Sequence, residues 1–190
     1  MEYEGIIFRQ SRRVILRPVL EEDIPSITRW MNNPEVTKFL TASYPLTEVE
    51  EREWLQNLSK RKPEHVVVAI VADGKAIGTT GLHNISSRSR SATTGAVIGE
   101  EMYRGKGYGS EAKMLLLDYA FHVLNLRKIC SRVIAFNERS VAYSLKCGYH
   151  EEARLREHIF YNGCYWDEVC LAVFYDEWLP LWEAFKKNCL

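Results

Sequence analysis

The sequence has no long apolar segment and no excess of charge of either sign. No stretch approaches the run of about 18 apolar residues that a membrane-spanning helix needs. Lysine plus arginine number 25, as do aspartate plus glutamate, so the formal net charge is zero. We therefore expect no membrane partner and no basic surface over the whole chain for binding nucleic acid.

Cysteines are few and follow no metal-binding pattern. The sequence contains Cys130, Cys147, Cys164, Cys170 and Cys189, an odd number without a C-x-x-C pair. Cys147 and His150 lie three positions apart, but no second pair completes a tetrahedral metal site. Because the first residues also show no signal peptide, we expect reduced thiols, no metal ion and a cytoplasmic protein.

The hydrophobic pattern predicts one α/β domain over residues 1–190. Hydrophobic residues make up 46% and charged residues 26%, as in ordinary globular domains, and no linker interrupts them. Strands are predicted at 14–17, 66–72, 76–85, 92–98, 129–135, 152–161 and 164–174, with helices between and after them, one over 110–123 and a short one at the C-terminus. Hairpin turns are predicted at Asp73-Gly74 and Asn162-Gly163, a capping box at Thr47 and Glu50, and a helix N-cap at Asn137. Short turns imply antiparallel pairs, while the strand–helix–strand unit from 92 to 135 implies a parallel pair. We expect a mixed, mostly antiparallel sheet of about seven strands with helices on both faces.

The segment Tyr103-Arg104-Gly105-Lys106-Gly107-Tyr108-Gly109-Ser110 stands between a predicted strand and a predicted helix. Its alternate glycines let the backbone curl and expose successive N–H groups, and the helix N-terminus adds partial positive charge. Such a turn binds a phosphate or a pyrophosphate. It differs from a P-loop, in which a hydroxyl residue follows the lysine, and from the G-x-G-x-x-G dinucleotide fingerprint.

The spacing Arg104-x-x-Gly107-x-Gly109 resembles the acetyl-CoA pyrophosphate motif of the GNAT superfamily of N-acetyltransferases. The helix from Asn137, closed by Lys146-Cys147-Gly148-Tyr149, resembles the N-x-x-A/S … K-x-G-F segment of that family. The segments at 16–36 and 161–178 resemble the branch with ribosomal-protein N-terminal acetyltransferases and diamine acetyltransferases.

The resemblance implies a GNAT-like fold with acetyl-CoA as the cosubstrate and no metal. In the family the pantetheine arm lies between two strands that splay apart, and here the first of these strands would be 96–98. The implied cofactor-binding residues are Val97, Ile98, Gly99, Arg104, Gly105, Lys106, Gly107, Tyr108, Gly109, Ser110, Asn137 and Ser140.

The implied reaction is direct attack of a neutral amine on acetyl-CoA, so a base must take a proton from the ammonium. Glu100, Glu101, His83 and His158 are the candidates, and Glu100 is the one we select. Many family members protonate the departing thiolate with a tyrosine seven residues after the asparagine.

This sequence has Ser144 at the position of that tyrosine and Tyr143 beside it. Both are candidates for the catalytic proton donor, although neighbouring residues on a helix point about 100° apart. The resemblance places Glu35, His158 and Tyr161 on the walls of the acceptor pocket.

We therefore expect an N-acetyltransferase that acts on a primary amine: a protein N-terminus, a polyamine or a small amine. A ribosomal protein is our first choice of acceptor and a diamine the second, so nucleic acid would be met only through a ribosomal substrate. The alternatives are a non-catalytic acyl-CoA sensor, which Ser144 suggests, and a nucleotide phosphate binder. A homodimer is a further expectation.

Overall fold

Eight strands form one sheet in the computed structural model, which describes residues 5–40, 44–58, 60 and 64–190. The strands are β1 (Arg9–Gln10), β2 (Ile15–Pro18), β3 (Val66–Ala72), β4 (Lys75–Ser86), β5 (Ser91–Ile98), β6 (Lys128–Ile134), β7 (His150–Tyr161) and β8 (Cys164–Phe174). They lie in the order β1-β2-β3-β4-β5-β6-β8-β7. All neighbours are antiparallel except β5 and β6. The predicted sheet is confirmed, and the short β1, which pairs with β2, is the additional strand.

Helices cover both faces of this sheet. They are α1 (Ile24–Met31), α2 (Pro34–Thr37), α3 (Glu48–Leu58), α4 (Tyr108–Asp118), α5 (Glu138–Lys146) and α6 (Tyr175–Cys189). On β3, Val68 and Ile70 belong to the same buried cluster as Trp178 of α6, whereas Ala69 packs with Ile27 of α1. Successive strand residues point to opposite faces, so the two clusters lie on opposite sides of the sheet. None of the described helices is long and apolar enough to cross a membrane.

The predicted turns and caps are present. Asp73 and Gly74 have φ angles of 49° and 77°, and Asn162 and Gly163 have 49° and 80°. Positive φ at both central residues is the mark of a type I′ hairpin turn. At the start of α3, the Thr47 N–H donates to Oε2 of Glu50 at 2.8 Å, and the Glu50 N–H donates to the Thr47 hydroxyl at 3.3 Å, which makes a capping box.

Two helices differ in extent from the sequence prediction. Helix α4 begins at Tyr108 instead of Ser110, because Gly107 with a φ of 91° serves as its N-cap. It ends as an α-helix at Asp118 and continues as a π-helical segment, Tyr119–Val123. The predicted short C-terminal helix is 15 residues long, and its buried Trp178 and Trp182 stack with centroids 5.2 Å apart.

Strands β5 and β6 separate after a short parallel contact. Pairing joins only Ser91–Thr93 to Lys128–Cys130. Beyond that point β5 continues to Ile98 beside β4, and β6 continues to Ile134 beside β8. The divergence opens a wedge in the sheet, with one strand on each side, as the resemblance implied.

A close contact between Gly99 and Trp30 fixes the end of β5. An ideal Cβ on Gly99 would lie 2.0 Å from Cδ2 of the indole ring of Trp30. The Gly99 N–H donates to the carbonyl of Ile77 at 2.9 Å. The glycine thus lets α1 pack directly on the backbone beside the wedge.

We predict that Gly99→Ala destabilises the protein by about 2 kcal/mol or more, because the added methyl group overlaps a buried ring that has no room to move. Urea unfolding of the purified variant measures the change. Gly95→Ala within β5 is the matched control, since its Cβ would meet His83 at an ordinary 3.4 Å. Equal stabilities for the two variants would contradict the contact.

Candidate active site

A cavity of about 740 Å³ occupies the wedge between β5 and β6. Residues 94–98 of β5 form one wall, residues 131–133 of β6 the other, and the glycine turn and α5 complete it. Its lining includes most of the predicted cofactor-binding residues: Val97, Ile98, Arg104, Gly105, Gly107, Gly109, Ser110, Asn137 and Ser140. Residues distant in sequence therefore meet where the resemblance placed the cofactor.

The glycine turn has the backbone geometry of an anion cradle. Gly105 and Gly107 have φ angles of 74° and 91°, a region that other residues rarely adopt. Helix α4 follows at Tyr108 and directs its free N–H groups and its positive dipole end at the turn. The turn can therefore hold a pyrophosphate through its backbone.

Cations that the sequence analysis missed surround this turn. Nη2 of Arg139 lies 3.7 Å from the position of a Cβ on Gly105, and Nη2 of Arg13 lies 3.2 Å from that of a Cβ on Gly107. Arg139 and Lys146 also line the cavity. The position of Arg139 just after the helix cap could have revealed it, whereas no motif connects Arg13 to a turn so far along the chain.

Arg13 is held against the turn from outside. Its Nε donates to Oε1 of Glu111 at 2.6 Å, and its Nη1 donates to the carbonyl of Lys106 at 3.2 Å. The guanidinium also lies 4.8 Å from the ring centroid of Tyr108. Arg13 thus fixes the shape of the turn and adds positive charge there.

Three of the predicted cofactor-binding residues do not line the cavity. Gly99 packs on Trp30, the Lys106 side chain is exposed, and the Tyr108 ring packs edge-on against Tyr103 at 5.2 Å. These three residues therefore lie outside the cavity lining. The part that their backbone N–H groups take in binding the cofactor stays a prediction.

Arg104 braces the turn against β5. Its Nε donates to the carbonyl of Ile98 at 2.9 Å, and its Nη2 donates to the carbonyl of Gly99 at 2.7 Å. The guanidinium of Arg104 is therefore directed at the end of the strand. Arg104 still lines the cavity, so it both shapes and charges the site.

Asn137 sets the start of α5 at the cavity. Its Oδ1 accepts the N–H of Ser140 at 3.2 Å, the predicted N-cap. Both residues line the cavity. The cap therefore fixes the orientation of the amide that the resemblance assigns to the pantetheine arm.

The two candidate proton donors lie in different surroundings. Tyr143 lines the cavity. Ser144 is fully buried, where its hydroxyl accepts from Nζ of Lys113 at 2.9 Å and donates to the carbonyl of Ser140 at 2.8 Å. The structure therefore does not bring Ser144 to the cavity, because α5 directs its side chain at Lys113 of α4.

The carboxylate of Glu100 also forms hydrogen bonds within the protein. Its Oε1 accepts from Nη2 of Arg29 and from Nε1 of Trp30, the latter at 3.1 Å. It does not line the cavity, whereas its neighbour Glu101 does. The structure therefore corrects the choice of Glu100 as the base, because its carboxylate contacts α1 instead of facing the cavity.

Neither histidine candidate lines the cavity. Nδ1 of His83 lies 3.4 Å from Nδ1 of His65, and burial together with that neighbour lowers the pKa of His83. His158 is half-exposed on β7, with Nε2 3.8 Å from Oε2 of Glu168. The cavity therefore leaves Glu101 as the candidate base among the four.

On the acceptor side, Glu35 lines the cavity together with Lys38 and Phe39. Nζ of Lys38 donates to Oε2 of Glu35 at 2.5 Å, and this ammonium lowers the pKa of Glu35. Residues 41–43 of the adjoining loop lie outside the described residues.

Tyr161 does not line the cavity but joins it through a row of rings. Its centroid lies 5.5 Å from that of Phe136, which lies 5.9 Å from that of Phe39.

Over the described part of the chain, no group of three or more histidine, cysteine, aspartate or glutamate side chains could hold a metal ion.

Comparison with known proteins identifies the family of this chain. The acetyltransferase (GNAT) domain matches residues 13–150, which include β5, the glycine turn and α5. The chain belongs to the GNAT family. It is an acetyl-CoA-dependent N-acetyltransferase, and its cosubstrate is acetyl-CoA.

Relatives of this GNAT enzyme include polyamine acetyltransferases. The spermidine N(1)-acetyltransferase of Escherichia coli is 29% identical over 174 residues, covering 89% of this chain and 90% of the relative. The crystal structure of the Vibrio cholerae spermidine N-acetyltransferase with CoA and spermine has a TM-score of 0.79 at 27% identity, covering 88% of this chain and 98% of that one. A Bacillus subtilis relative, named "putative ribosomal N-acetyltransferase", is 31% identical over 60% of this chain and 61% of its own.

We predict that Gly107→Glu weakens CoA binding by about a hundredfold, because a carboxylate would face the pyrophosphate. Isothermal titration calorimetry with CoA measures the affinity. Gly163→Glu is the matched control: it has the same backbone strain, with a φ of 80°, in a hairpin turn with no atom within 4 Å of the added Cβ. Unchanged affinity in Gly107→Glu would refute the pyrophosphate position.

Proposed function

We propose that this GNAT enzyme transfers the acetyl group of acetyl-CoA to a primary amine of a polyamine. The observation that carries the proposal is that one cavity has in its lining both the glycine turn and two carboxylates, Glu35 and Glu101, which we assign to its acceptor end and call the mouth. Carboxylates in a cleft attract a cationic alkylamine. The spermidine acetyltransferases among the relatives support the same acceptor class.

The donor site is proposed from the residues of the wedge. Backbone N–H groups of the glycine turn and of the first turn of α4 hold the pyrophosphate, with Arg139 and Lys146 adding positive charge. Asn137 and the exposed edge of residues 96–98 orient the pantetheine arm. Acetyl-CoA itself supplies an activated acetyl thioester.

On the acceptor side, we assign different roles to the two carboxylates. Lys38 lowers the pKa of Glu35, so Glu35 stays ionised and binds a positive amine. Glu101 accepts a proton from the reacting ammonium and frees the nitrogen lone pair for attack. The mouth thus selects a cation and converts it into a nucleophile.

Tyr143 is the proposed proton donor to the departing thiolate. It lines the cavity, while the neighbouring Ser144 is buried and bonded to Lys113. The thiolate leaves with a pKa close to that of free cysteine, about 8.5, so a lost donor slows the reaction without abolishing it. Tyr143→Phe would therefore retain measurable turnover.

The second candidate acceptor is a protein N-terminus, which the Bacillus subtilis relative favours. Both acceptors present an amine to the same mouth, but a polyamine carries further cations and a peptide carries a chain of amides.

The cytoplasmic location also remains a proposal, supported by free thiols at all five cysteines.

A panel of amines tests the proposal. Purified enzyme and acetyl-CoA are incubated with spermidine, a diamine, peptides with ribosomal-protein N-termini and a small metabolite amine, and free CoA thiol and the mass of the acceptor are measured. We expect one acetyl group on spermidine at the highest kcat/KM. Turnover of the peptides alone would replace the polyamine by a protein acceptor, and tight CoA binding without any turnover would favour the sensor.

We predict that Glu101→Gln lowers kcat/KM for spermidine by about a hundredfold, the usual contribution of a positioned base. Glu100→Gln is the matched control, because its carboxylate contacts Arg29 and Trp30 instead of the cavity. Steady-state kinetics with both variants decide the point. A loss confined to Glu100→Gln would return the base to that residue.

We further propose that two copies pair through β7. This strand is an edge of the sheet, with most of its residues exposed, and such edges pair readily with another chain. Its sequence is self-complementary: Glu151 and Glu152 precede Ala153, and Arg154 and Arg156 follow it. A two-fold axis through Ala153 would oppose Glu152 of one copy to Arg154 of the other.

We predict that Arg154→Glu converts the dimer into a monomer, because it places like charges across the two-fold axis. Adding Glu152→Arg restores the opposite pair and the dimer. Sedimentation velocity of the wild type and both variants measures the mass. A monomeric wild type would contradict the proposal directly.

A further inference from the structure

Lys113 is a buried charge that the steps above do not use. The residue lies on α4 with 1% of its surface exposed. A buried ammonium loses its hydration and normally gains a carboxylate partner. The ion pairs found within the described residues do not include Lys113. A lysine buried without a carboxylate partner therefore needs another physical reason for its place in the interior.

The partners of Lys113 are one hydroxyl and two aromatic rings. Nζ donates to Oγ of Ser144 at 2.9 Å, and it lies 4.1 Å from the ring centroid of Tyr143 and 4.4 Å from that of Tyr149. Cation–π attraction is strongest where both groups are out of water. The hydroxyl of Ser144 donates onward to the carbonyl of Ser140, so its lone pair is free to accept from Lys113.

The nearby titratable groups do not cancel this positive charge. Burial raises the pKa of Cys147 to about 11 and raises that of Tyr149 well above its ordinary value. Both groups are therefore neutral near pH 7. The ammonium acts on its surroundings as an uncompensated charge.

Lys113 lies one layer of side chains behind the cavity wall. Tyr143, which it contacts, lines the cavity, as do Ser140 and Thr94. Thr94 in turn lies 3.0 Å, oxygen to oxygen, from the hydroxyl of Tyr149. In an environment of low dielectric constant, a charge at this depth acts on charge in the cavity far more strongly than it would through water.

We propose that Lys113 is a positioning residue that holds the Tyr143 ring at the cavity wall and stabilises the negative charge formed when the thioester breaks. The inference rests on the proposed role of Tyr143. In that step the amine nitrogen, from which Glu101 has taken one proton, forms a bond to the acetyl carbon. The carbon–sulfur bond breaks, its electron pair goes to sulfur, and sulfur takes the hydroxyl proton of Tyr143. The phenolate left behind lies beside the ammonium until it regains, through water, the second proton that the acylated nitrogen loses, while Glu101 releases the first proton to solvent.

The first test is spectroscopic and needs no acceptor. In ¹H–¹⁵N spectra of the ligand-free protein, we expect a slowly exchanging lysine ammonium signal that is absent from Lys113→Met and Lys113→Gln. In ¹H–¹³C aromatic spectra, we expect the Tyr143 ring signals to shift in both variants. Absence of that ammonium signal from the wild type, or unmoved Tyr143 signals in the folded variants, would overturn the proposal. Two neutral variants are used so that the failure of one to fold does not end the test.

The second test separates positioning from general support of the fold. We expect Lys113→Met to lower kcat by about tenfold, with the KM for acetyl-CoA and the Kd for CoA nearly unchanged. In a Tyr143→Phe background, the same substitution should cause little further loss, because the two residues act as a unit.

Equal losses in both backgrounds, or an unchanged kcat, would overturn the positioning role. If the wild type acetylates no amine, the proposed function fails, and the spectra still decide whether a charged Lys113 orients Tyr143.

Discussion

The early end of the pairing between β5 and β6 is the constraint on which the rest of the molecule depends. Three residue pairs hold the strands together, and beyond them each strand keeps a different antiparallel partner. The sheet therefore stays continuous while its middle opens, and the exposed backbone of residues 94–98 becomes available to a ligand. The glycine turn and α5 lie next to the opening because each directly follows one of the diverging strands.

Charge in the site is divided between groups that bind and groups that brace. Arg104, Glu100 and Arg13 all gather near the glycine turn, and each forms hydrogen bonds within the protein: with the end of β5, with α1 and with Glu111. Of these three only Arg104 also lines the cavity, together with Arg139, Lys146 and Glu101. A motif thus identifies where charged residues gather, while packing determines which of them a ligand meets.

The strands, the hairpin turns and the helix caps could be predicted from the sequence because each has a local cause. Asp73-Gly74 and Asn162-Gly163 need positive φ, and the caps at Thr47 and Asn137 are formed by bonds to residues three positions away. The separation of roles at Glu100 and Glu101, or at Tyr143 and Ser144, could not be predicted in this way. It depends on contacts with Trp30 and with Lys113, which are remote in sequence and enter only through tertiary packing.

The two hydrogen bonds of Arg104 make the cradle and the end of β5 one rigid unit. In the proposed binding mode, the distance between the glycine turn, which binds the phosphates, and the end of β5, which receives the acyl group, is consequently fixed. The cavity therefore accepts donors of one length. A thioester on a shorter arm without the phosphates would lose the contacts with the turn and would no longer place its acyl group at the end of β5. A longer acyl chain on the same arm would extend only at the mouth. In the proposed binding mode, Arg104 thereby limits which acyl carriers fit.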